Sequence, residues 1–103
     1  MRFIVKASIP TVAGNKAVRE GSLGSKLQTV LADLKPEAAY FFEDGGHRTA
    51  LLVVNIQDAS EIPRVAEPFF LGMQAEVRFH PVMTAEDLGK AGLEDLAKKW
   101  ATD

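Results

Sequence analysis

Two strongly apolar runs, Ala38-Ala39-Tyr40-Phe41-Phe42-Glu43 and Arg48-Thr49-Ala50-Leu51-Leu52-Val53-Val54-Asn55-Ile56, are separated by Asp44-Gly45-Gly46-His47. A glycine pair supplies the positive φ angles of a tight turn, so the runs read as the two strands of a hairpin. Ala50 to Val54 is apolar at every position, and Tyr40, Phe41 and Phe42 follow one another without a polar break. Such a pattern marks strands covered on both faces. Any sheet that contains this hairpin needs a layer on each side.

The remaining elements follow from periodicity. Arg2 to Ile9 alternates, with Phe3, Val5, Ala7 and Ile9 on one face and Arg2, Ile4, Lys6 and Ser8 on the other. After Pro10 a long helix is expected, capped by Thr11 or Asn15 and running to about Leu34, where Pro36 stops it. Leu27, Val30, Leu31 and Leu34 form its stripe, with Ala17, Gly21 and Gly24 on or near the same side. A second helix starts near Ser60 and presents Ile62, Val65, Ala66, Phe69 and Phe70; Pro68 is expected to end or distort it. Gln74 to Val82 alternates as a last strand, with Gln74, Glu76, Arg78, His80 and Val82 on one side. Thr84 and Asp87 have capping-box spacing and open a final helix over about residues 84–99, whose stripe of Leu88, Leu93, Leu96 and Trp100 reads as a docking face.

The order β-α-β-β-α-β plus a C-terminal helix is that of the ferredoxin-like split βαβ arrangement, an α+β fold with an antiparallel sheet ordered 4-1-3-2 and both crossover helices on one face. One domain spans residues 1–103, a normal domain length. Its second sheet face is polar only in part. The economical cover is another copy of the same sheet across a two-fold axis, so a homodimer is expected. On that face strands two and three supply the apolar half, while strands one and four supply Arg2, Lys6, Glu76, Arg78 and His80.

Composition narrows the chemistry. The chain has no Cys and two His, which removes thiolate metal sites, disulfides and cysteine nucleophiles and leaves little material for a histidine cage, so no metal and no cofactor are expected. A net charge of −2 lacks the basic footprint of a nucleic-acid binder. The RNA-binding module built on the same strand order is rejected too, because its third strand needs an exposed aromatic that this one lacks. Residues 1–26 nevertheless carry Arg2, Lys6, Lys16, Arg19 and Lys26 against Glu20, a local +4 that leaves −6 elsewhere, so a small anion has a basic corner to meet. Arg2 and Lys6 interrupt the first apolar stretch, which spoils a signal peptide, and no run approaches a membrane span. A cytoplasmic protein with no membrane partner is the expectation.

Pro68-Phe69-Phe70, Met73 to Val77 and Pro81 resemble the corresponding stretch of muconolactone-isomerase-like proteins, bacterial members of the dimeric α+β barrel group. Pro81 to Leu88, Pro-Val-Met-Thr-x-Glu-Asp-Leu, resembles uncharacterised bacterial proteins of similar length. The resemblance covers the last third of the chain and the element order. It implies a face-to-face dimer with ligand space between sheet and helices, in a group that includes isomerases, cofactor-free monooxygenases and haem-handling enzymes. The isomerase's acid and base lie in and near its first helix, where this chain has Arg-Glu-Gly-Ser-Leu-Gly-Ser-Lys, so no catalytic role is carried over.

Three groups remain as candidates. Arg78, His80, Lys6 and Tyr40 are expected to bind a small organic or anionic ligand, with His80 and Glu76 as candidate acid or base, because i, i+2, i+4 spacing puts Glu76, Arg78 and His80 on one strand face. The alternative reading of the same residues is a set of ion pairs that fixes dimer register. Gly21-Ser22-Leu23-Gly24-Ser25-Lys26 lacks the spacing of a phosphate loop and reads as close packing or a pocket floor. Asp44 and His47 amount to half a metal site at most and read as a solvated turn. Three functions stay open: a dimeric small-molecule binder, a cofactor-free isomerase or monooxygenase type of enzyme, and a non-catalytic dimerisation domain.

Overall fold

A computed structural model of the chain describes residues 1–101. Four strands form one antiparallel sheet: β1 (Arg2–Ile9), β2 (Ala38–Asp44), β3 (His47–Asn55) and β4 (Glu76–Pro81), in the order β2-β3-β1-β4. The helices are α1 (Thr11–Arg19), α2 (Leu23–Leu34), α3 (Ile62–Met73), α4 (Ala85–Gly89) and α5 (Leu93–Trp100), with a 3-10 turn at Ala59–Glu61 ahead of α3. This is the ferredoxin-like strand order expected from the succession of elements.

Alternation decides which side of the sheet becomes the core. Val5 lies between Leu52 of β3 and Phe79 of β4, and Ala7 lies between Ala50 and Val77. Val5, Ala7, Ile9, Ala50, Leu52 and Val54 are buried against Val30 of α2 and Val65, Phe69 and Met73 of α3. The rings of Phe3 and Phe79 meet edge to face, 6.3 Å apart, and tie the β4 edge to that layer. Both crossovers therefore cover the odd-numbered side of β1, and among the described residues no layer lies on the even-numbered side.

Three elements differ from expectation. The first crossover is two helices, not one: Gly21 takes φ +70 and turns the chain between α1 and α2. Ala17 is buried as its stripe position predicted, whereas Gly24 is exposed. Pro68 stays inside α3 instead of ending it. A mid-helix proline costs about 3 kcal/mol, and burial of Val65 and Ala66 before it and Phe69 and Met73 after it outweighs that cost. The C-terminal segment opens on the expected capping box, with the Asp87 amide donating to Thr84 Oγ1 at 3.1 Å and the Thr84 amide donating to Asp87 Oδ2 at 2.9 Å. It then breaks between Gly89 and Leu93 into two short helices, every residue of which is exposed.

Gly14, inside α1, has a packing reason. A Cβ built there falls 2.8 Å from Arg48 Nη1 and 3.4 Å from Ile9, because the Arg48 side chain crosses the helix to donate to Asn15 Oδ1 at 3.0 Å.

Candidate functional site

The uncovered face reads as rows across the strands, because directly paired residues point to the same side. One row is Phe42–Thr49–Ser8–Glu76, the next Tyr40–Leu51–Lys6–Arg78, and the third Ala38–Val53–Ile4–His80. Asp44 and His47, opposite one another at the hairpin end, add a partial row. The β2–β3 half is apolar and the β4 edge is charged, as expected from alternation. Ile4, Leu51 and Val53 are half-buried, and Tyr40 and Phe42 stand 63% and 41% exposed, which is unusual for aromatic rings on one sheet face.

The hairpin concentrates the charge. Gly45 and Gly46, at φ +57 and +82, form a two-residue loop of the type that matches strand twist, so Asp44 and His47 are paired strand residues and not a loose turn. The turn is solvated, as expected, with His47 exposed and Asp44 partly so, and both side chains join Lys6, Ser8, Glu76 and Arg78 around a cleft of about 230 Å³. Lys6 forms an ion pair with Asp44, and Arg78 Nη2 lies 3.8 Å from Glu76 Oε2. The hydrogen bond and charge of Lys6 hold the Asp44 carboxyl below its ordinary range, with Arg78 and His47 adding to the effect.

Of the expected ligand residues, the structure brings Lys6 and Arg78 together as direct cross-strand neighbours, with Glu76 beside them. Tyr40 shares their row, but Leu51 stands between it and Lys6, leaving two strand spacings, about 10 Å, to Lys6 and three, about 14 Å, to Arg78. His80 lies one row further along, exposed and opposite Ile4, and does not line the cleft. The imidazole that does line it belongs to His47. The signal for Asp44 and His47 was parity: in a two-residue loop Asp44 falls on the side of Tyr40 and Phe42, and His47 falls opposite.

In the glycine-rich segment Leu23 and Lys26 line a cleft of about 190 Å³ with Lys16, Glu20 and Gly72. Lys26 donates to the Gly72 carbonyl at 2.9 Å, pinning α2 to the end of α3. Among the described residues no cluster of His, Asp or Glu is placed to hold a metal ion, and no helix is long and apolar enough to cross a membrane. Neither family models nor curated proteins give a match to the chain. Fold and site together define its class: an α+β protein with ferredoxin-like strand order, one bare sheet face and a mixed-charge cleft at the hairpin end of that face.

Proposed function

We propose that the protein is a homodimer in which two bare sheet faces stack, and that the cleft around Lys6 and Arg78 binds a small organic anion beside the apolar half of the face. One observation carries the reading: Lys6 and Arg78, two cations side by side, open onto a face whose other half is Tyr40, Phe42, Leu51 and Val53. A carboxylate between the cations would relieve their repulsion, and its apolar body would lie toward Leu51. Arg78 is the freer of the two, since its contact with Glu76 is long and both side chains are more than two-thirds exposed. Pairs of that kind contribute little on their own and yield readily to a better partner.

Titration calorimetry with benzoate as the probe tests the site. Binding to the wild-type chain, weakened about tenfold or more in Arg78→Ala, is the expected result, since a charge-assisted hydrogen bond is worth about 1.5–3 kcal/mol. Equal affinity in the two proteins overturns it.

A catalytic form of the same reading is favoured by Glu76 and His47, a carboxylate and an imidazole on the rim of one cleft, where a cofactor-free isomerase or monooxygenase would need an acid and a base. With this arrangement His47 takes the place that alternation alone gave to His80. The non-catalytic dimerisation reading keeps the same stacked faces and leaves the cleft without a ligand.

A further inference from the structure

The C-terminal arm packs on nothing among the described residues, whereas α2 and α3 bury Val30, Val65, Phe69 and Met73 against the sheet. The molecule measures 59 × 29 × 20 Å with a radius of gyration of 17.5 Å, against about 13 Å for a compact domain of this length. Every residue from Ala85 to Trp100 is exposed, including Leu88, Leu93, Leu96 and Trp100 on the stripe of α4 and α5. An isolated helix shorter than about 12 residues is marginal in water, so α5, with eight, requires a surface to pack on.

A matching surface exists on the same chain but out of the arm's direction. Leu23 and Leu27 of α2 and Phe41 and Phe42 of β2 line an apolar cleft of about 260 Å³ at the β2 edge, beside Ile9 and Ala50. The arm leaves at the other end of the strands, where the Val82 amide donates to the Arg2 carbonyl and Asp87 faces Arg2. Arg2 and Ile9 are separated by the length of β1, about 23 Å. A second copy stacked with its strands antiparallel brings its own hairpin end over the root of the arm, with this cleft at the β2 edge three strand spacings across, about 14 Å, so that the arm has to run along the partner's hairpin end to reach it.

Area points to the same occupant. The bare face is four strands wide and six paired residues long where β1 meets β4, about 19 × 20 Å or 400 Å² in projection, half of it charged. A stable interface buries about 800 Å² per partner. Trp100 alone can add about 150–250 Å². The charges are compatible as well: the cleft rim carries Glu43 and Arg48, and α5 carries Glu94 and Asp95 in its first turn and Lys98 and Lys99 in its last.

We propose that the arm of each copy reaches across the dimer and lays Leu93, Leu96 and Trp100 into the partner's Leu23–Leu27–Phe41 cleft, clasping the stacked sheets; this rests on the dimer proposed above. Trp100 is the sole tryptophan, so its emission reports docking directly. In the full chain, emission is expected to be blue-shifted and protected from acrylamide at dimer concentrations, and to move to the red on dilution as light scattering reports monomer. Leu93→Asp/Leu96→Asp, at exposed positions that leave the fold intact by circular dichroism, is expected to expose Trp100 and raise the dimer dissociation constant about tenfold or more. Three results overturn the clasp. A chain monomeric at every concentration removes the dimer and the clasp together. A dimer with Trp100 exposed throughout leaves the dimer standing and assigns the arm to another partner. A protected Trp100 in a monomer shows the arm folding back on its own body.

Discussion

Lys6 and Arg78 face each other directly across β1 and β4, and like charges in that position repel. Asp44, paired with Lys6, offsets that repulsion, and the long exposed contact of Glu76 with Arg78 adds little to it. The Asp44 carboxyl is held below its ordinary value by Lys6, so the pair stabilises the folded chain above the normal carboxylate range and loses that effect as pH falls through the depressed value, below 3.8. Asp44→Asn should therefore lower the thermal midpoint at neutral pH, with the gap to wild type closing as pH falls below the ordinary carboxylate range. Melts followed by circular dichroism check this, and a gap independent of pH would contradict it. The same substitution frees Lys6 and should tighten benzoate binding. That Lys6, Glu76 and Arg78 share one sheet face was legible because alternation alone places them there. That Asp44 and His47 join them was missed although parity carried the signal, because it depends on the β2–β3 register and on the β1 and β4 neighbours that register brings alongside.

At the scale of elements, the hairpin loop decides where the site sits. Gly45 and Gly46 both have open space around a built Cβ, so substitution there acts through the backbone alone. Gly45→Asn keeps a residue that tolerates φ near +57 and should be neutral or stabilising by up to about 1 kcal/mol. Gly46→Val forces a β-branched residue to φ +82 and should cost about 1–2 kcal/mol, with weaker benzoate binding as Asp44 and His47 shift. Urea unfolding separates the two variants; equal stability would show that the loop does not set the register. The helix boundaries were harder to read. The apolar stripe runs through Gly21 without a break, so periodicity joins α1 and α2, whereas the turn depends on one residue's φ. Pro68 misled in the opposite sense, because local propensity yields where packing on both sides of the proline is dense.

For the whole molecule, the bare face and the projecting arm both expose apolar surface among the described residues. Leu51 sits in the middle of the bare face, between Tyr40 and Lys6, and is only half-buried. Leu51→Asp should leave the monomer folded, since Leu51 points away from the helical layer, and should abolish dimerisation at micromolar protein. Sedimentation velocity checks it, and an unchanged dimer would place the interface on another surface.

The strand order, the helical layer and the half-apolar character of the second face were determined by the sequence itself, because alternation and turn chemistry are local and each strand carries its own pattern. Tertiary structure alone decided which charges meet. Strand register sets Lys6 against Arg78 and moves His80 a row away, the two-residue loop turns Asp44 and His47 into the cleft, and the break after Gly89 leaves the arm without a surface on its own chain. Each depends on residues far apart in sequence, or on a dihedral choice that several local sequences permit equally.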